Sequence, residues 1–277
     1  MTAPATAATA PAPADSRTQA ITDALLIGWR NLKRIPRIPE LAVFGVLQSI
    51  MFVVLFSVIF GGAIPIPGGT YNEFLIPGIF AQTIIFACGT TAVGIADDAQ
   101  KGIIDRFRSL PMARSAFLSG RSLADVVYNA GIMVVLGVSG VLVGWSVQTG
   151  IGGFVAGVAL LLLFAFAMSW LGMFLGLNVP TVEVANQVIF TVLFPIGFIS
   201  SVFVPPQTLP DWIQPIAEWN PTSTLATSLR VLWGNPNPYA TGSFPSENPI
   251  LVTLGWVVVI LAVFGPLAVR RYRSLNR

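Results

Sequence analysis

The chain of 277 residues contains no histidine and a single cysteine, Cys88, which lies in a hydrophobic run. Without histidine the chain lacks the commonest zinc ligand and the usual general base of hydrolytic enzymes. One cysteine can form neither an intrachain disulfide nor a thiolate metal cluster. These absences exclude a disulfide scaffold and argue against a metal site and against histidine-based catalysis.

Charged residues are also scarce, at 10% of the chain, whereas hydrophobic residues account for 54%. A soluble domain usually carries about 25% charged residues. The deficit therefore predicts an integral membrane protein of the all-α class, with no room for a large extramembrane enzyme. The basic residues flank hydrophobic stretches, so membrane topology explains them and we predict no nucleic-acid partner.

The N-terminal region differs in composition from the rest of the chain. Residues 1–17 are rich in Ala, Pro and Thr, which predicts a disordered tail. Residues 18–38 have the pattern of an amphipathic helix, with Trp29 on the apolar side and Arg30 and Arg34 on the basic side. That pattern favours a helix in the membrane interface, with its arginines near anionic headgroups. A soluble surface helix with a basic face is the alternative.

Six hydrophobic stretches are long enough to cross a bilayer, which takes about 20 apolar residues each. A transmembrane domain is predicted over 39–270, followed by a cytoplasmic tail over 271–277. Its spans are placed near 40–61, 74–96, 125–147, 153–177, 184–204 and 249–269. The third span adjoins a run that starts near Arg114, so a longer helix is expected at its cytoplasmic end.

The basic residues are distributed unevenly around these spans. Six crossings put fourteen of the fifteen Lys and Arg residues on the same side as both termini, leaving only Arg230 opposite. The positive-inside rule therefore predicts that both termini are cytoplasmic. The preference for Arg over Lys, beside abundant Ala, Gly and Val, indicates a bacterial cell membrane.

The segment 205–248 is then external. Trp212 and Trp219 lie near helical spacing, which predicts short helices against the outer membrane interface. The turn-like run 234–238 that follows is expected to be exposed.

Two absent motifs limit the chemistry further. Because the chain has no GxxxxGK[ST] sequence, it cannot supply a P-loop, and any ATPase must be another polypeptide. The match of 137–140 to the GxSG of rhomboid proteases is treated as chance, since no histidine can take the serine proton.

The predicted span cores also lack ionisable residues, which argues against proton coupling and favours a hydrophobic or amphiphilic cargo.

Two aromatic faces are candidates for a cargo path. Gln82 and Phe86 are one turn apart in the second span, and Phe190, Phe194 and Phe198 recur every four residues in the fifth. Aromatic walls with few polar groups suit flat or hydrophobic ligands. The alternative is a phenylalanine stripe that faces lipid or neighbouring helices.

The longest charged run between spans is 101–114, where a short helix with an apolar edge is expected to end at Pro111. Within it, the run GIIDRFRSLPMAR over 102–114, followed by Gly120 and Arg121, resembles the GxxDRxRSLPxxR loop of ABC-2 transporter permeases. The external Leu209-Pro210-x-Trp212-Ile213, with Asn220-Pro221, is similar to the LPxWL…NP segment of that family. The daunorubicin-resistance branch is the most similar, and the resemblance covers the chain from about residue 20.

The resemblance implies a permease subunit of an ATP-driven exporter, with no enzymatic activity of its own. Two permease chains, identical or different, would pair with two ATPase subunits that bind the ATP and Mg²⁺. A coupling helix between spans two and three would dock on the ATPase. Its contacts would be Gly102, Ile103, Asp105, Arg106, Phe107, Arg108 and Leu110.

The implied substrate is a hydrophobic drug or antibiotic. Export of a glycolipid or of a lipid-linked polysaccharide is the first alternative. A non-transporting membrane scaffold for an ATPase is the second.

Overall fold

The structure is a computed structural model that describes residues 16–34, 39–62, 64–108, 116–203, 205–237 and 242–274, in which every regular element is a helix. The helices are α1 (Ser16–Arg34), α2 (Pro39–Phe60), α3 (Tyr71–Gln100), α4 (Ile103–Arg108), α5 (Ala116–Leu142), α6 (Gly150–Asn178), α7 (Val182–Phe198), α8 (Gln214–Trp219), α9 (Pro221–Trp233), α10 (Phe244–Glu247) and α11 (Pro249–Ser274). A 3-10 turn, Pro206–Thr208, precedes α8. Most of the predicted tail over 1–17 lies outside the described residues.

The predicted all-α membrane class is confirmed at this level. Four helices of the described chain, α3, α5, α6 and α11, are long and apolar enough to cross a membrane. Two shorter apolar segments, 47–60 within α2 and 182–198, accompany them.

As expected, α5 extends toward the preceding loop. It ends at Leu142 rather than near 147, because the chain turns at Gly144 with a φ of +92°.

Helix α3 is the central helix of the bundle. Its first turn is closed by a capping box, in which Glu73 N–H donates to the Thr70 hydroxyl and Thr70 N–H donates to the Glu73 carboxylate. Helix α6 approaches α3 at Gly172, which packs against the Cys88 carbonyl and Thr91. The absence of a side chain at Gly172 therefore allows close packing within the chain.

The bundle has two distinct ends, which we name outer and inner after the topology that the sequence predicts. At the outer end, Trp233 is fully buried with its ring 5.2 Å from both Phe80 and Trp145. At the inner end, residues from α1, α3, α4, α5, α6 and α11 form one buried cluster. Its members include Ile27, Ile95, Ile104, Phe117, Met173, Leu177 and Tyr272.

Helix α1 packs on the start of α5 at two glycines. A side chain at Gly120 would collide with the Ala24 carbonyl and Ile27, and one at Gly28 would approach the Gly120 carbonyl to 3.1 Å. The opposite face of α1 leaves Trp29 exposed. The helix therefore joins the bundle through one stripe and leaves an apolar stripe uncovered.

The segment 205–248 differs from the prediction at two points. Trp212 and Trp219 are exposed, in keeping with an interfacial position, but α9 is buried among α3, α6 and α11 rather than lying at the surface. Asn235 is buried, and its Oδ1 accepts a hydrogen bond from Trp145 Nε1 at 3.0 Å. The turn expected to be exposed over 234–238 is therefore exposed only in part: Gly234 is exposed, Asn235 is buried, and Pro238 lies outside the described residues.

Candidate functional site

A cavity of about 710 Å³ runs along α3 from the outer to the inner end of the bundle. Helices α2, α3, α5 and α7 provide most of its lining. Its apolar lining includes Phe52, Phe86, Ile132 and Phe203. Lys101 and Asp97 line its inner end, directly before α4. The cavity volume is in the range of pockets that bury one drug-sized molecule, which is about 300–1,000 Å³.

The predicted pair Gln82 and Phe86 both line this cavity. Gln82 is 4% exposed, and within the described part of the chain neither its Oε1 nor its Nε2 has a hydrogen-bond partner. The amide lies against α7 at Gly197, where a Cβ atom would be 3.5 Å from Gln82 Nε2 and 3.6 Å from the Phe86 ring. The amide therefore lies between the Phe86 ring and the α7 backbone.

The predicted stripe on α7 lies outside the cavity lining. Phe190, Phe194 and Phe198 form a continuous stack, with centroid separations of 4.9 and 4.3 Å, and all three are exposed. The stack reaches the cavity through Phe203, whose ring is 5.5 Å from that of Phe198. Sequence reasoning missed Phe203 because α7 ends at Phe198, so helical spacing does not extend to it.

Phe203 also joins α2 to this aromatic region. Its ring stacks on Phe56 with a centroid separation of 4.1 Å. The outer part of the cavity is therefore aromatic on more than one side. This arrangement suits a flat or hydrophobic molecule.

Ionic contacts join α3 to α5 near the inner end of the cavity. Arg121 Nε lies 3.2 Å from Asp125 Oδ1, and its Nη1 lies 3.4 Å from Asp98 Oδ2. Thr91 donates to the second oxygen of Asp125 at 2.8 Å. The guanidinium packs against Gly94, where a side chain would displace it. Because Arg121 engages both carboxylates, this group is better suited to bracing the helices than to proton transfer.

Helix α4 follows α3 after a left-handed turn at Gly102, whose φ is +65°. Lys101 Nζ pairs with Asp97 at 2.7 Å just before this turn. Ile104 is only 2% exposed and belongs to the buried cluster at the inner end, whereas Asp105 and Arg106 are exposed. Among its described side chains, α4 is therefore anchored by Ile104 and presents Asp105 and Arg106 at the surface.

Only some of the remaining predicted residues lie in the described part of the chain. Ile103 is partly buried. The side chains of Phe107, Arg108 and Arg34, and the whole of Leu110, lie outside the part of the chain that the structure describes. Trp29 and Arg30 of α1 are exposed, and Lys33 Nζ lies 5.2 Å from the Trp29 ring centroid.

Comparison with known proteins identifies one matching family. Residues 22–233 match the family described as ABC-2 type transporter. The chain is 31% identical to the "Daunorubicin resistance ABC transporter permease protein DrrB1" of Streptomyces coeruleorubidus, over 94% of this chain and 89% of that protein. It is 23% identical to the "Probable doxorubicin resistance ABC transporter permease protein DrrC" of Mycobacterium tuberculosis, over 92% of this chain and 90% of that protein.

Proposed function

The chain belongs to the ABC-2 type transporter family and is a permease subunit of an ABC exporter, and we propose that its cargo passes along the cavity between α2, α3, α5 and α7. The observation that carries this proposal is the continuity of the cavity from an aromatic outer end to Lys101, which immediately precedes α4. The same chain therefore has a space for cargo next to α4, the helix through which the ATPase would act.

Helix α4 is the proposed coupling helix. Its exposed Asp105 and Arg106 would contact the ATPase, together with Gly102, Ile103, Phe107, Arg108 and Leu110. Ile104 shares a buried cluster with Ile95 of α3 and Phe117 of α5. Because interiors are close-packed, a displacement of α4 would be passed to these two walls of the cavity.

The partner ATPase would bind ATP and Mg²⁺, and this chain would have no enzymatic activity or cofactor of its own. Two permease chains, identical or different, would pair with two ATPase subunits. Closure of the ATPases on ATP would pull the coupling helices together and turn the cavity from inward-facing to outward-facing. The cargo would then leave past the aromatic outer end.

The proposed setting is a bacterial cell membrane, with six crossings and both termini in the cytoplasm. The four full-length helices, together with the two shorter apolar segments, would supply the six crossings. The inner end would be cytoplasmic, because Lys101, Arg121 and Arg271 belong to the helix ends that gather there. The exposed Trp29 and Arg30 of α1 would then lie in the membrane interface.

The proposed cargo is a hydrophobic or amphiphilic drug-like molecule. The names of the two relatives refer to daunorubicin and doxorubicin resistance. The cavity volume also favours one molecule of drug size over a long lipid-linked polysaccharide. Export of a glycolipid remains the second candidate, supported by the apolar lining. A scaffold that moves nothing is disfavoured because it needs no continuous cavity.

The test is co-purification with a co-expressed ABC ATPase subunit from the same organism, comparing wild type with Phe107→Asp. Burial of an unpaired charge in a docked interface costs roughly 3–5 kcal/mol, so we expect the variant to lose the ATPase. Phe244→Asp is the matched control, since Phe244 is exposed on α10, far from α4 in the chain. Equal binding by Phe107→Asp and wild type would refute the docking site, and wild type without any ATPase would refute the exporter mechanism.

A further inference from the structure

Gln82 is a polar residue whose amide finds no hydrogen-bond partner among the residues that the structure describes. Both amide atoms are buried and lack a partner, although the residue itself lines the cavity. A buried amide without partners costs free energy, and an apolar side chain of the same shape would avoid that cost. The amide lies beside α7, where a Cβ atom at Gly197 would be 3.5 Å from Gln82 Nε2. The unused amide therefore points to a ligand that enters the cavity.

The charged groups of the cavity do not offer a competing recognition site. Among the described residues that line it, Asp97 is paired with Lys101, and Asp125 with Arg121. The lining around Gln82 is apolar on the side of Phe86 and Ile79. The cavity therefore suits a ligand that carries a neutral hydrogen-bonding group on an apolar body.

We propose that Gln82 determines cargo specificity by turning its amide from the space beside Gly197 into the cavity, where it bonds to a neutral polar group of the cargo. A primary amide both donates and accepts. Its complement is a group that does the same, such as an amide or a hydroxyl beside a carbonyl on an aromatic body. This inference rests on the proposed function, since it requires that cargo occupies the cavity.

The proposal also explains why the unsatisfied amide is tolerated. Cargo that supplies the missing bonds relieves a cost present in the cargo-free state, which adds to its affinity for the cavity. Cargo without a polar group at this position leaves the amide unpaired and gains nothing from it. Sites built around a hydrogen-bonding group discriminate strongly against ligands that lack its complement.

The experiment compares wild type, Gln82→Met and Gln187→Met, each purified with its ATPase in lipid nanodiscs. Methionine keeps the length of glutamine and removes its donor and acceptor. Gln187 is exposed on α7 and does not line the cavity, which makes it the matched control. The probes are daunorubicin, which has hydroxyl and carbonyl groups on fused rings, and 9-methylanthracene, which has fused rings and no polar group.

Gln82→Met is expected to weaken daunorubicin binding about tenfold, equivalent to about 1.4 kcal/mol, while 9-methylanthracene binding stays the same or strengthens. Its melting temperature without cargo should equal or exceed that of wild type, because a buried unpaired amide is removed. Gln187→Met should match wild type in all three measurements.

Two results would overturn the assignment. Unchanged daunorubicin binding in Gln82→Met would show that Gln82 makes no hydrogen bond to the cargo. A lower melting temperature with both probes weakened alike would show that Gln82 only supports the fold. If wild type binds neither probe, the proposed cargo class fails and this inference fails with it, an outcome distinct from both of the others.

Discussion

The guanidinium of Arg230 lies 3.7 Å from the centre of the Phe74 ring, and its Nε donates to the Phe74 carbonyl oxygen at 3.0 Å. Its Nη2 donates to the Ser201 carbonyl at 2.8 Å. Arg230 is 1% exposed, and within the described residues no carboxylate forms an ion pair with it. This arginine, the one basic residue predicted on the outer side, therefore ties α9 to α3 and to the turn after α7.

Arg230→Met should destabilise the protein strongly. Hydrogen bonds to charged groups contribute about 1.5–3 kcal/mol each, so a loss of roughly 3 kcal/mol is expected. The measurement is thermal unfolding of the purified protein in detergent. Arg230→Lys should recover only part of the loss, because one ammonium group lacks the planar fork of arginine. Arg270→Met, at an exposed position of α11, should have little effect, and equal melting temperatures for both methionine variants would contradict the structure.

The Arg121 contacts allow a rescue experiment. Arg121→Met removes the guanidinium that pairs with the buried Asp125 carboxylate, which should cost about 3–5 kcal/mol of stability. Adding Asp125→Asn removes that carboxylate charge, so the double variant should melt at a higher temperature than the single one. Lys101→Met is the control, since its pair with Asp97 is more exposed and should contribute less than about 1 kcal/mol. A double variant less stable than the single one would argue against a shared network.

The close approach of α3 and α6 depends on Gly172. Gly172→Val places a branched side chain against the Cys88 carbonyl and Thr91, and overpacking of this kind typically costs about 1–3 kcal/mol. Gly131→Val is the matched control, because a Cβ at Gly131 on α5 meets nothing within 4 Å. Thermal unfolding of the two variants tests the contact, and equal loss of stability would show that valine acts through the helix backbone alone.

The phenylalanine stack on α7 provides a test of the cargo path. If cargo passes along it, Phe194→Ala should lower ATP-driven daunorubicin uptake into inverted vesicles about fivefold, the effect of losing roughly 1 kcal/mol of aromatic contact. ATPase activity should be retained, because α4 is untouched. Phe154→Ala, an exposed phenylalanine of α6, is the control. Normal uptake by Phe194→Ala would indicate that the stack faces lipid or a second chain. The cavity alone would then be the cargo path.

Local features of the chain can be predicted from the sequence alone. The length and apolarity of α3, α5, α6 and α11 predict membrane helices, because the hydrophobic thickness of a bilayer sets a minimum run of apolar residues. The loop over 102–114 indicated the family that the comparisons confirm. Gln82 and Phe86 were correctly placed together, since four residues make about one helical turn.

Pairings between distant residues could not be read in this way. Helical spacing placed Phe190, Phe194 and Phe198 on one face but could not say whether that face lines the cavity, which the neighbouring helices determine. The same limit applies to Phe203, which meets α2 only in the folded chain.

The sequence by itself therefore determined the membrane class, the helical stretches and the family, because each depends on a continuous segment. Only the tertiary structure decided that α9 is buried, that Arg230 bonds to a residue 156 positions earlier, and that Gln82 finds no hydrogen-bond partner among the described residues. A buried polar group is satisfied or left unpaired by whatever the rest of the fold brings next to it, and local pattern carries no information about that neighbour.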